Sequence, residues 1–392
     1  MLFEGVKVLD FSWGAALPLA TKIMAHYGAT VVSVESQRRP TLTRLLPPYH
    51  GGMPGLEQSA MFANFGTSKL SIALDMNHPK GQQLARRLAT EWAGIVAESF
   101  GPGIMTRWGM TYDQLREVKP DLFMVSSSMF GQEGPYASYR GYGSHGASVA
   151  GFATITAWPG EVPAGPYGAY TDFISPRLTA AALLAAWDHH ERTGESVYLD
   201  YSQVEGAVQF LGFAALDYQA NGRVLGPARN RTAEGAPHGV YPCIGDDRWV
   251  AITVFGDEQW QRFCQAIGRP ELASDPRFAT HGQRKANEDA LDAEVAAWTR
   301  DREAHGAAAL LQAAGIAAGA VQDCRDLRND PHLRAWGFYE QRQHPVFGDF
   351  EYDGLEFRIQ DVEPTFERSP LLGEHTHMVL HDFLGLADHE IA

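Results

Sequence analysis

The N-terminal stretch alternates short apolar runs with one segment of helical period. VKVLDF at 6–11 reads as a buried strand, Leu17 to Tyr27 as a helix closed by Gly28, and Thr30 to Val34 as a second strand, which makes a βαβ unit. A further helix is expected from about Pro79 to Trp92, with Leu84, Leu88 and Trp92 on one face, followed by a short strand from Ile95 to Ala97. Thr111 and Gln114 stand at capping-box spacing for a brief helix that stops before Pro120, and LFMVSSS at 122–128 reads as another strand. Strand and helix alternate in this way to about residue 200, which predicts an α/β fold on a doubly wound, mostly parallel sheet.

The texture changes near Gly226. A polar stretch of Arg, Asn, Gly and Pro leads into GVYPCIGDDRWVAITVF at 239–255, two strands joined by a turn at Gly245–Asp246, and helical segments follow at Asp257–Ile267, Glu288–Trp298 and Glu303–Ala314. Beyond Asp330–Pro331 the chain turns extended, with HPVFGDFEYDG suggesting a hairpin, and it finishes on a helical HMVLHDFLGL. The expected layout is a large Rossmann-like domain over 1–200, a linker helix over 201–225, a smaller α+β domain over 226–325, and a return segment over 326–392 that completes the large domain.

Composition narrows the function classes. With 392 residues and 45% hydrophobic content the chain can bury one large core and a smaller one. A formal net charge of −15 argues against a general nucleic-acid surface while leaving room for a local basic pocket. No window approaches the length of a membrane span and MLFEGVKVLDF lacks a signal-peptide pattern, so the expectation is a cytoplasmic protein with no membrane partner. Cys243, Cys264 and Cys324 are odd in number and never in CxxC spacing, and read as buried thiols; the scattered histidines, among them His189–His190, His375 and His377, suggest no metal site. The first turn, FSWGAALPLA, lacks the glycines of a dinucleotide fingerprint, so no nicotinamide or flavin is expected, although Glu35 ends the second strand where a ribose-binding acid would sit.

One segment holds an acid that its helix does not need. In GPYGAYTDFISPRLTAAALLAAW, from Gly165 to Trp187, Pro176 suits a first helical position and Ser175 a cap, which leaves Asp172 spare just ahead of an apolar helix. An ordinary turn or capping carboxylate is the alternative for that residue.

Several segments, in their order and spacing, resemble the class III CoA-transferases, a family that includes formyl-CoA transferase, carnitine CoA-transferase and alpha-methylacyl-CoA racemase. They are GVKVLDFS, HYGATVVSVES, SKLSIALDM, ESFGPGIMTRWGM, FGQEGPYASYRGYG, YTDFISP with its Ala/Leu helix, NDPHLRAWGF and LLGEHTHMVL. The resemblance implies that Asp172 attacks the acyl thioester and that Gly14, Ala15, Ala16, Arg38, Arg39, Lys69, Phe100, Arg107 and Arg140 surround coenzyme A, the acyl-CoA being a substrate. It also implies two chains interlocked as rings, a homodimer or a pair with a homologous subunit. Ser36 stands where formyl-CoA transferase has an arginine, and no run of glycines occurs in the second lobe, so neither formyl nor oxalyl specificity is implied.

The same resemblance frames the rest of the chemistry. The pattern PHGVYPC…DRWVAI looks closest to the branch that handles dicarboxylic acids, with succinyl-CoA as donor and a carboxylic acid as acceptor. Arg229, Arg231 and His238 could reach the acceptor carboxylate across a dimer interface, or could simply form a polar turn. Tyr142 falls about where the racemase branch has its catalytic histidine, with His145 nearby, which favours transfer over an epimerase of the same fold. A non-catalytic CoA-binding subunit is the alternative from another functional class.

Overall fold

In the computed structural model, which describes residues 1–391, the opening βαβ unit is built from β1 (Lys7–Asp10), α1 (Ala16–His26) and β2 (Thr30–Glu35). With β3 (Leu70–Ala73), α2 (Pro79–Arg87), β4 (Ile95–Glu98), β5 (Phe123–Ser128) and β6 (Val197–Ser202) it forms a six-stranded sheet in the order β3-β2-β1-β4-β5-β6. Every pairing in it is parallel. Strand order reverses between β1 and β4, and at such a switch point the loops leaving the carboxyl ends splay apart and open a crevice.

Period-2 alternation divides the buried strand residues between two cores, as a parallel sheet covered on both faces requires. Leu9, Val32, Ile72, Val96 and Met124 pack with Leu88 and Trp92, and with Val379, Leu380 and Leu384 of the C-terminal segment. Val8, Val31, Ile95, Phe123 and Val125 pack on the other face against Leu17, Ala20 and Met24 of α1 and against Ala180 and Leu183.

The helix carrying Asp172 begins earlier than its caps suggest. After α3 (Gly143–Val149), helix α4 runs Tyr170–Thr193 from an N-cap at Ala169 that makes no side-chain cap bond. Pro176 lies inside α4 and Ser175 is buried, so neither starts nor caps it. Tertiary packing overrides the local signal: the Tyr170 ring sits 5.1 Å from that of Phe152, and α3 docks on the first turn so closely that a Cβ on Gly143 would stand 2.5 Å from the Ala169 carbonyl oxygen. The proline still leaves a mark, because it has no N–H to give the Asp172 carbonyl one turn back.

The expected linker helix is broken into α5 (Gln203–Val208), a 3-10 turn at Gln209–Leu211 and α6 (Gly212–Asn221). Ser202 caps α5 by accepting the Glu205 N–H. These elements belong to a first compact unit of 1–154, 165–225 and 334–392, whereas the second unit is 155–164 with 226–333. The small lobe therefore includes a short loop from the first half of the chain and ends later than residue 325.

The second unit is an antiparallel sheet of β7 (Gly235–Pro242), β8 (Trp249–Phe255) and β9 (Ala317–Ala320) with α7 (Gly256–Ala266), α8 (Glu288–Thr299) and α9 (Ala304–Ala313). Trp260, Phe263, Phe278, Leu291 and Val295 fill its core. The sequence reading missed β9, whose AAGA has none of the β-branched residues that mark a strand. In the first unit β10 (Tyr339–His344) and β11 (Gly348–Asp353) form the expected hairpin. Cys243 and Cys264 are buried, but Cys324 is exposed, because it opens a short surface helix capped by Asp323. Among the described residues no helix is long and apolar enough to cross a membrane.

Candidate active site

Two adjoining compartments lie in the first unit, lined mainly by residues at and beyond the carboxyl ends of the sheet strands, with Asp172 from α4. The larger, about 920 Å³, is walled by Trp13, Phe100, Trp108, Arg39, Arg107 and Arg140, and the smaller, about 400 Å³, by Gly14, Ala15, Ala16, Arg38, Tyr142, Asp172 and Gln203. Trp13, Arg39, Ser99, Ser128, Met129 and Gly141 line both, so the two are one continuous cleft.

Short local devices set the walls. Ser36 closes a tight turn in which its Oγ accepts the Arg39 N–H at 3.1 Å, and this carries Arg38 and Arg39 to the rim. The Ser99 hydroxyl accepts the Trp13 N–H at 2.7 Å and donates to the Trp13 carbonyl at 3.2 Å, fastening the first loop to the segment after β4. Phe100 meets Trp13 edge-on at 6.0 Å and Trp108 at 5.2 Å. Arg107 rides on a one-turn helix, Ile104–Trp108, bracketed by Gly103 and Gly109 in the left-handed conformation, φ 89° and 64°.

Asp172 occupies the first turn of α4, where unpaired N–H groups and the helix dipole favour an anion. One of its oxygens, Oδ2, accepts the Gly143 N–H at 3.0 Å. Burial raises its pKa above the usual carboxylate value, and hydrogen bonds from the Gly143 backbone and the Gln203 side chain oppose that rise. Gln203 is itself held, since its Oε1 accepts from the Thr171 hydroxyl at 3.1 Å. A half-buried carboxylate, partly stripped of water and held by two neutral donors, can act as a nucleophile.

The sequence-predicted residues divide into three groups. Gly14, Ala15, Ala16, Arg38, Tyr142 and Asp172 line the smaller compartment, and Phe100, Arg107 and Arg140 the larger, with Arg39 in both. Lys69 lines neither: its ammonium is buried and donates to Asp10 Oδ2 at 3.0 Å, Thr21 Oγ1 at 2.7 Å and the Pro18 carbonyl at 2.8 Å. It precedes β3, and the residues of that region that line the cleft are Leu74, Asp75, Met76 and Asn77, beyond the strand's carboxyl end.

Arg229, Arg231 and His238 lie in the second unit, each with a partner there. Arg231 grips Asp289 at 2.7 Å and Asp292 at 2.6 Å, Arg229 stands 3.5 Å from Asp289, and His238 Nδ1 is 2.5 Å from the Asn230 carbonyl. Glu35 is no free ribose acceptor, because Arg44 takes both its oxygens at 2.9 Å. Trp13, Gln203 and Ser128 were not singled out from sequence. The signal available for the last two was position, since each stands at or just past the carboxyl end of a parallel strand.

Comparison with known proteins identifies the family. The model for CoA-transferase family III matches residues 3–376. Succinyl-CoA–D-citramalate CoA-transferase of Chloroflexus aurantiacus is 29% identical over 99% of this chain and 96% of its own. Acetyl-CoA:oxalate CoA-transferase of Acetobacter aceti is 30% identical over 85% of this chain and 84% of its own. Among solved structures, a CAIB/BAIF family protein from Brucella suis superposes with a TM-score of 0.87 at 27% identity, covering 97% of this chain and 99% of that one. A family match across nearly the whole chain, on a parallel sheet whose switch-point cleft holds an acid and several arginines, makes this chain a member of CoA-transferase family III, a CaiB/BaiF-type enzyme acting on CoA thioesters.

Proposed function

We propose that the protein moves CoA from succinyl-CoA to a carboxylic acid acceptor through covalent intermediates on Asp172. The Asp172 carboxylate attacks the thioester carbonyl and CoA thiolate leaves, giving a mixed anhydride. The thiolate then attacks the aspartyl carbonyl, so the donor acid departs and an aspartyl-CoA thioester remains. Attack by the acceptor carboxylate on that thioester releases the thiolate again, and its return to the acceptor's acyl carbon forms the new thioester and frees Asp172. The observation that carries this reading is the Asp172 carboxylate itself, on the wall of a compartment continuous with an arginine-lined one. In this reading Arg39, Arg107 and Arg140 hold the phosphates of CoA, and Phe100, Trp13 and Trp108 face its adenine and pantetheine.

The donor assignment draws on the 29% identical succinyl-CoA-dependent relative. Intact-protein mass spectrometry after exposure to a panel of acyl-CoA thioesters, without acceptor, tests it. Succinyl-CoA should give the largest adduct; a larger adduct from another acyl-CoA would replace it as donor, and no adduct from any would remove the covalent route.

For assembly we propose two interlocked chains. Phe210, Phe213, Leu216 and Tyr218 expose 50%, 58%, 65% and 59% of their surface along the 3-10 turn and α6, more apolar area than a solitary chain normally leaves in water. Sedimentation should give twice the chain mass at micromolar concentration, and an active, reversible monomer there would contradict the proposal.

A further inference from the structure

Beneath the loop that carries Phe100 lies a carboxyl group that the transfer steps do not use. Glu98 ends β4 and is 2% exposed. Its Oε2 accepts the Phe100 N–H at 2.7 Å, and its Oε1 accepts the Ser126 hydroxyl. The carbonyl of the same Phe100 is taken by Gln132, whose Nε2 donates to it at 2.8 Å and stands 3.5 Å from Glu98 Oε1. Gln132 is anchored in turn, its backbone N–H donating to Asp200 Oδ2 at 2.8 Å. Phe100 is therefore gripped at both its N–H and its C=O, with its ring in the wall of the larger compartment.

We propose that Glu98 is a positioning residue for CoA, holding the Phe100 wall in place, and that its charge, once it ionises, works against binding of the CoA phosphates. The proposal rests on reading the larger compartment as the CoA site, since an anion beneath a pocket for a polyphosphate opposes the ligand. No cation is among the hydrogen-bond partners of Glu98. Burial pushes its carboxyl up to about 7; the Ser126 and Phe100 bonds oppose the rise and the Asp200 charge adds to it. Tyr198, Asp200 and Glu133 are other ionisable groups on this side of the sheet. The Tyr198 hydroxyl, which donates to Ser126 at 3.1 Å, is pushed up to about 12 by burial. Asp200 and its neighbour Glu133 add only negative charge. The cations Arg39, Arg107 and Arg140 line the cleft above it.

Proton binding at Glu98 and CoA binding are then reciprocally coupled. As pH rises through about 7 the group ionises, and affinity for CoA falls. Glu98→Gln keeps a neutral acceptor for the Phe100 N–H, and Glu98→Ala removes it.

The experiment is calorimetric titration of the full-length protein with CoA across pH, alongside steady-state kinetics. Relative to the Gln variant, wild type should lose about tenfold in CoA affinity between about pH 6 and about pH 8, a comparison that cancels the titration of the CoA phosphates. The Ala variant should raise KM for acyl-CoA about tenfold at every pH while kcat stays within about twofold. Parallel wild-type and Gln profiles, or an Ala variant with unchanged KM, would overturn the proposal, and the Gln comparison stands even if the Ala variant does not fold. Wild type that binds no CoA at any pH would overturn the CoA reading of the cleft, and the clamp with it.

Discussion

Asp172→Asn should keep the fold and the CoA site while abolishing transfer. The amide is nearly isosteric, and its oxygen can still accept the Gly143 N–H that now meets Oδ2 at 3.0 Å, so α3 and α4 have no reason to separate. What the substitution removes is the only chemistry proposed for the residue: an amide oxygen forms no anhydride with an acyl group. Turnover should fall by about 10⁴-fold or more, the scale on which deleting a covalent nucleophile acts in other enzymes, with CoA affinity within about threefold of wild type. The direct assay is trapping: wild type incubated with a reactive acyl-CoA and then hydroxylamine should carry a hydroxamate on the peptide containing Asp172. Label on another carboxylate, or near-normal turnover in the Asn variant, would return Asp172 to the role of a helix-end acid.

Arg44→Ala should be among the most destabilising single substitutions in the large unit. Arg44 is 0% exposed and Glu35 5%. The guanidinium grips both Glu35 oxygens at 2.9 Å, Glu57 Oε2 at 2.7 Å and the Pro370 carbonyl at 3.2 Å, and lies 3.5 Å over the Phe62 ring. Truncation leaves a buried carboxylate without its cation and a void against the ring, a loss of about 3–5 kcal/mol. Urea unfolding should show it as a lowered midpoint. Because most of that loss is the uncompensated Glu35, Arg44→Met combined with Glu35→Leu should recover a substantial part of it. An Ala variant within about 1 kcal/mol of wild type would mean that water reaches this pair readily, contrary to its burial.

The loss should extend to the cleft. Glu35 lies at the carboxyl end of β2, lines the larger compartment and holds the Ser71 hydroxyl at 2.9 Å. Loosening it should therefore raise KM for acyl-CoA together with the fall in stability. Such a joint change separates this network from the Phe100 clamp, where stability and KM need not move together.

Much of the architecture was legible because its causes are local. The alternation of VKVLDF, a helix, Thr30–Val34 and LFMVSSS is a statement about which faces each segment must bury, and a parallel sheet is the arrangement that buries them. The Thr111–Gln114 capping box needs only residues within one turn of each other, and it formed as expected. Asp172 stood out as an acid its helix did not need, and resemblance then gave it the nucleophile role and singled out Phe100 and the arginines of ESFGPGIMTRWGM and FGQEGPYASYRGYG; the fold brings them to one cleft.

Tertiary contact decided the rest. Whether Lys69 faced a ligand depended on Asp10 and Thr21 standing within reach of its ammonium, and Glu35 looked available only while Arg44 was a distant position in the chain. The start of α4 moved from Pro176 to Tyr170 because α3 docks through a glycine against Ala169, a contact between segments whose approach no local propensity encodes. Gln203 joined the site by the same logic, since β6 pairs beside β5 and thereby sets the start of α5 next to Asp172. Periodicity and capping act within a few residues and can be read from the chain, but the partner of a long charged side chain is chosen by which strands become neighbours, and only the folded sheet determines that.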